Sequence, residues 1–301
     1  MSAKSTGAAT AAKLRRDAEE AAAHFPALMI EAERIAHTVA AGTHGRRRAG
    51  PGESFWQHRA YGFGDPVSAI DWRQSARAAD RLYVRQNEWE AAAAVWIWCD
   101  SSASLDYASK RETPTKRHRA DVIATALAIL LSQAGERIGL MGARERPFHG
   151  RAAPTLFLEA LIAAPNSIAS TPPKAQISPG ARVVLISDFF AEPKKIREAV
   201  ADYARAGAKG ALVQVLDAAE EEFPFTGRTD FEDTESRDHL IFGEASSLGD
   251  DYRAKFAAHR AYLEDMVRRF DWTFLAHRTD RRPESALLAL FTALSDMKGL
   301  K

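Results

Sequence analysis

Cysteine is nearly absent from this chain: Cys99 is the only one in 301 residues. That excludes an internal disulfide framework and a cysteine-rich zinc site, and it suits a reducing compartment. Long apolar runs are missing as well. None approaches the roughly 20 residues needed to span a bilayer, and the opening MSAKSTGAATAAKLRRDAEE lacks the apolar core of a secretory signal. The expectation is a cytoplasmic protein with no membrane span. Neither sign of charge is in excess, since 41 Lys and Arg face 40 Asp and Glu for a net charge of +1. A dedicated nucleic-acid binder would be visibly basic, so none is expected. The nine histidines show neither H-x-x-x-H nor H-E-x-x-H spacing, which leaves a zinc hydrolase unsupported. No G-x-S-x-G elbow occurs. The Gly- and Arg-rich stretch 42–53 lacks phosphate-loop spacing and reads as a solvated basic loop.

What is present is a regular alternation. Residues 11–40 carry a helical pattern, with Leu28, Ile35 and Val39 at helical spacing and Pro26 dividing it. After Asp80 the rhythm changes. AAAAVWIWCD, ERIGLMGA, ARVVLISDFF, AKGALVQVLD and DWTFLAH read as strands. Between and after them, HRADVIATALAILLSQAG, PTLFLEALIAA, EPKKIREAVADYARAG, DDYRAKFAAHRAYLEDMVRRF and PESALLALFTALSDM read as helices. ERPFHG is a candidate hairpin partner for the second strand, and 217–236 is an acidic excursion leading into a small hairpin at RDHLIFGE. Strands alternating with long helices predict an α/β fold: a doubly wound, mostly parallel sheet covered on both faces.

In such a sheet, ligands bind beyond the carboxyl ends of the strands where strand order reverses. Asp100 ends the first strand of the sheet, and Asp188 ends the strand expected to open its second half. Asp100, Ser102 and Ser104 form D-x-S-x-S. Two hydroxyls and two carboxylates suit a hard cation, Mg²⁺ or Mn²⁺, with water or a partner's carboxylate completing the shell. Thr155, at the start of a helix, is a further candidate ligand. The same residue types also build ordinary Asx-turns and helix caps after strands. Cys99, inside a buried strand, reads as an inert core thiol.

DSSAS and the later ISDFF resemble the metal-ion-dependent adhesion site (MIDAS) of von Willebrand factor A domains. The segment before them, ESFWQHRAYGFGDPVSAIDWRQSARAADRLYVRQNEWE, resembles the signature of the bacterial family called domain of unknown function 58, or DUF58. Phe55, Arg59, Tyr61, Gly64, Asp65, Ile70, Asp71, Trp72, Ser75, Ala76, Arg77, Val84 and Arg85 match that signature; Ser54, Pro66 and Ser68 depart from it. Residues 1–24 are expected from their composition to be a flexible N-terminal segment; the resemblance, which covers 25–297, implies 25–90 as a helix with the signature segment and 91–301 as a von Willebrand factor A-like domain. It also implies action beside a MoxR-type AAA+ ATPase in the assembly or maturation of a client protein.

Read physically, the signature segment is structural. Asp71 and Trp72, with Arg73 and Arg77 nearby, are expected to form a buried ion-pair and aromatic cluster. RLYVRQNEWE, alternating Leu82, Val84 and Gln86, is expected to add an edge strand or hairpin. The functional expectation is a metal-dependent protein-interaction module rather than an enzyme, with its partner covering the loops after Asp100, Asp188 and Gly150. Two alternatives stay open: a metal-dependent phosphoester hydrolase, against which Ser102 stands where a phosphatase D-x-D would place its second Asp, and a metal-free scaffold.

Overall fold

A computed structural model describes residues 27–40, 55–62, 67, 70–77, 81–87, 94–143, 145–164, 170–232, 234 and 238–297. The chain divides into two units, one made of 1–45 with 93–301, the other of 46–92.

The larger unit is built on a five-stranded parallel sheet. Its strands are β3 (Ala94–Cys99), β4 (Arg137–Leu140), β5 (Arg182–Ser187), β6 (Lys209–Leu216) and β9 (Thr273–Arg278), in the order β4-β3-β5-β6-β9. β3 leads to β4 on one side, and the chain then returns to β5 on the other, so strand order reverses between β3 and β5. This is the doubly wound α/β class expected from the sequence. The continuous apolar runs divide by alternation, because successive strand side chains point to opposite faces. Val95, Ile97, Val184, Ile186, Val213 and Val215 face one core; Trp96, Trp98, Val183, Leu185 and Leu212 face the other.

The first core is covered by α1 (27–40), α3 (Lys116–Gln133), α4 (Ala153–Ala163) and α8 (Pro283–Asp296). α3 is buried nearly all round, from Ala120 to Leu131, as expected of a helix with other helices packed around it. The second core is covered by α5 (Pro193–Arg205) and α7 (Gly249–Arg268). Trp96 lies directly opposite Gly139 in β4. A methyl group at Gly139 would fall on the Trp96 ring, so the glycine makes room for the indole.

α1 contributes Leu28, Ala32, Ile35, Ala36 and Val39 to the sheet's core. The structure thus groups this helix with the α/β unit rather than with the signature segment. The acidic excursion holds α6 (Ala218–Glu222) and a two-stranded hairpin of β7 (Thr229–Glu232) and β8 (His239–Phe242). ERPFHG contributes one antiparallel bridge, Ile138 to Phe148.

In the smaller unit, β1 (Phe55–Ala60) pairs antiparallel with β2 (Tyr83–Asn87), and Arg59 lies opposite Val84. α2 (Trp72–Ser75) is a single turn. The buried cluster expected around Asp71 and Trp72 is not formed. Trp72 is 61% exposed. Asp71 instead caps α2, its Oδ1 accepting from Arg73 N at 3.1 Å and Gln74 N at 3.0 Å. A carboxylate placed one residue before a helix satisfies otherwise orphaned amides. The buried Ser75 accepts from Tyr83 N at 2.9 Å, and Tyr61 N donates to Leu82 O. Arg77 is exposed, while Gly64 and Asp65 lie outside the described residues. Among the described residues no helix is long and apolar enough to cross a membrane.

Candidate functional site

Asp100 and Asp188 follow β3 and β5, the two neighbours that flank the reversal of strand order. Both are 1% exposed, and Ser102 is fully buried. The backbone after Asp100 folds back at once: Ser102 N donates to Asp100 Oδ1 at 2.8 Å. The other oxygen, Oδ2, accepts from Ser187 Oγ at 2.6 Å. Ser104 Oγ donates to Asp188 Oδ2 at 2.8 Å. The Ser102 and Ser104 hydroxyl oxygens lie 3.1 Å apart, within hydrogen-bond distance. The three residues of D-x-S-x-S and Asp188 therefore form one hydrogen-bonded group.

The turn is held from outside by α3. Thr115 caps this helix, its Oγ1 accepting from His118 N at 3.2 Å. Arg117, in the first turn, donates from Nη2 to Ser101 O and Ser102 O at 3.0 and 2.8 Å, and its Nε pairs with Asp106 at 2.5 Å. On the β5 side, Phe189 takes a left-handed φ of 57°. Phe190 N donates to Asp188 Oδ1 at 3.2 Å, and Gln214 Nε2 donates to Asp188 O at 3.0 Å.

The sequence reading missed Lys116. Its Nζ lies 2.8 Å from Asp188 Oδ2 and 2.5 Å from Glu220 Oε1, with the side chain 1% exposed. The ammonium also faces the rings of Phe190 and Tyr107, at 5.3 and 5.9 Å. Glu220 is presented by a capping box on α6. Asp217 Oδ1 accepts from Ala219 N, and Glu220 Oε2 accepts from Asp217 N at 2.9 Å, which leaves Oε1 for Lys116. Burial opposes the Lys116 ammonium, but Asp188 and Glu220 outweigh it and hold its pKa above the ordinary lysine value. Burial pushes Asp100 above the ordinary carboxylate range despite the bonds from Ser187 and Ser102. The Cys99 thiol is pushed up by burial and by the Asp121 and Asp100 charges, which suits an unreactive core thiol. A signal for Lys116 was present in Thr115, a good N-cap type: it starts the helix two residues before the His118 read from the pattern.

Thr155 is not brought to this group. Gly150 O accepts from Ser132 Oγ, near the end of α3, at 3.2 Å, and α4 starts from there. Thr155, exposed in the first turn of α4, therefore lies toward the amino end of the parallel strands, away from Asp100. Gly150 lies at that same end. Ser170 does reach the site. It lines a cavity of about 650 Å³ with Ser104, Lys116, Asp188, Phe190 and Phe223. Phe225, Phe231, Leu240 and Phe242 of the hairpin region add an apolar wall.

The donor set can be tested against a small hard cation. Cis ligands at the ~2.1 Å typical of Mg²⁺ stand about 3.0 Å apart; the serine hydroxyls are 3.1 Å apart. Asp100, bonded among the described residues to the neutral donors Ser102 and Ser187, supplies negative charge beside them. The oxygens fit. Among the described residues no three His, Cys, Asp or Glu side chains converge as metal ligands, so the hydroxyls are indispensable to any such site.

The molecule is thus a doubly wound α/β domain with a buried carboxylate and hydroxyl group at its switch point. A family model described as "Protein of unknown function DUF58" matches residues 57–262, and the chain belongs to that family. It is 30% identical over 247 residues to the uncharacterized protein Rv1480 of Mycobacterium tuberculosis, covering 77% of this chain and 76% of that one. The uncharacterized protein Mb1516 of Mycobacterium bovis gives the same figures. Among solved structures, BatB from Bacteroides thetaiotaomicron aligns with a TM-score of 0.41 at 13% identity, over 69% of this chain and 100% of that one. The SpRpn10 VWA domain aligns at 0.31 and 12%, over 65% and 94%.

Proposed function

We propose that this chain is a protein-interaction module that engages its partner at the carboxyl ends of β3 and β5. The observation that carries the reading is the convergence of Asp100, Ser102, Ser104 and Asp188 beside an aromatic-walled cavity. Asp100 has both oxygens tied down by Ser102 and Ser187, an arrangement that favours holding charge over attacking a substrate.

In its metal-dependent form, Ser102 and Ser104 would hold Mg²⁺ or Mn²⁺, with Asp100 and Asp188 supplying charge. Such an ion provides an open position for an Asp or Glu of the partner, because hard cations prefer anionic oxygen. The chain's own residues do the rest. Arg117 fixes the turn that carries the hydroxyls, and Phe190 with the hairpin aromatics offers a wall for the apolar neighbours of that acid. Family membership supports a MoxR-type AAA+ ATPase, or a client of one, as the partner.

The test is calorimetric titration with a purified MoxR-type ATPase, in Mg²⁺ and in chelator. Loss of binding in chelator and in Asp100→Ala is the expected result. Leu240, 62% exposed on the hairpin wall, provides a second probe: Leu240→Asp should weaken binding without moving the melting temperature. Equal affinity with and without Mg²⁺ would remove the metal and leave the interaction. Absence of binding in both would remove this partner.

A further inference from the structure

Asp188 Oδ2 accepts two hydrogen bonds, from Ser104 Oγ and from Lys116 Nζ, each at 2.8 Å. A carboxylate oxygen offers two lone pairs, so this oxygen is fully used. Oδ1 already takes Phe190 N. The ammonium is not a loose surface charge that swings in. Lys116 is the first residue of α3, fixed between the Thr115 cap and the Arg117 clamp on Ser101 and Ser102. Glu220 and the Phe190 and Tyr107 rings complete its surroundings. The fold therefore delivers a cation of its own to the carboxylate that a divalent ion on Ser102 and Ser104 would share.

We infer that Lys116 is a tethered competitor at this site: its ammonium and a divalent cation take turns on Asp188. The inference rests on the metal-binding reading and deepens it. With Lys116 on Asp188, one of the group's two carboxylates has its charge balanced from within, and the group keeps its shape without metal. With a divalent ion in place, charge repulsion drives the ammonium off Asp188. Glu220 and the cavity lined by Phe190 and Glu220 are where it can go. The cavity that we assign to the partner thus changes its charge and its free volume with the occupant of Asp188, which couples cation binding to partner binding.

The probe is Mn²⁺ alone, with free Mn²⁺ read by electron paramagnetic resonance on the full chain. Lys116→Met should bind Mn²⁺ at least about tenfold more tightly than wild type, equivalent to ~1.4 kcal/mol. A second measurement uses the wild type, so that poor folding of the variant cannot hide the answer. Acetylation of Lys116, followed by mass spectrometry, should be slow in chelator and several-fold faster at saturating Mn²⁺. Equal Mn²⁺ affinity in the two chains overturns the competition. Tighter binding by the variant with acetylation unchanged in wild type also overturns it, since Lys116 would then act at a distance without leaving. If neither chain binds Mn²⁺, the metal-binding reading itself falls and the competition with it, an outcome distinct from equal binding.

Discussion

Lys116 Nζ and Asp188 Oδ2 meet at 2.8 Å, and each side chain is only 1% exposed. Breaking such a pair from one side strands a buried charge, at a cost of about 3 to 5 kcal/mol. Asp188→Ala should fall toward the lower end, because Glu220 remains to hold the ammonium. Lys116→Met combined with Asp188→Asn should recover only part of the loss, since Asp188 no longer carries a charge but Glu220 is left without the ammonium. Urea denaturation of the single and double variants measures both. A single variant as stable as wild type would mean that the pair does not contribute in solution.

Metal binding should appear as stability. Mg²⁺ or Mn²⁺ at about a hundred times its dissociation constant adds roughly 2.7 kcal/mol to the folded state. Asp100→Ala should abolish that gain, because the hydroxyl pair would lose the carboxylate beside it. A thermal melt with the same metal-induced shift in both proteins would exclude Asp100 from the site.

The signature segment should respond to Asp71 more than to Trp72. Asp71 caps α2 through two backbone amides, and loss of a cap costs about 1 kcal/mol. Trp72 is exposed, and exposed substitutions stay within about 0.5 kcal/mol. Denaturation of Asp71→Ala and Trp72→Ala checks the order. A loss of several kcal/mol in Trp72→Ala would show that the indole is buried in solution.

His277 gives the fold an acid sensitivity. It is 4% exposed. Burial, with the nearby Arg119 guanidinium, lowers its pKa to about 4, against the pull of Asp280 and Glu284. Its ordinary value is about 6.5, so the unfolded chain takes up this proton first as the pH falls. The stability held above pH ~6.5 should therefore decline toward pH 4, at a rate of up to about 1.4 kcal/mol for each step of one in pH. His277→Gln should lack this part of the decline when urea midpoints are compared between pH 7.5 and 4.5. Parallel curves for the two proteins would show that His277 is not buried in its neutral form.

The sequence by itself determined the sheet and the ends of its strands. Apolar runs such as Val95–Trp98 and Val183–Ile186 need burial on both faces, and helices of ten or more residues between them leave room only for parallel crossovers. Asp100 and Asp188 stand where those runs stop, and strand order brings such ends together; the D-x-S-x-S turn is local and was legible for the same reason. What surrounds the group was decided only in three dimensions. Lys116 and Glu220 look like any surface charges in a chain with 41 basic and 40 acidic residues. They become partners, Lys116 buried and Glu220 partly so, only because α3 and α6 start at the same end of the sheet. Thr155 had the right chemistry at a helix start, but its helix starts at the other end, and Trp72 followed a carboxylate that was used locally as a cap. Periodicity reports which face a residue takes on its own element. Whether a charge is buried, and against which partner, depends on where separate elements meet, and no local pattern in the chain encodes that.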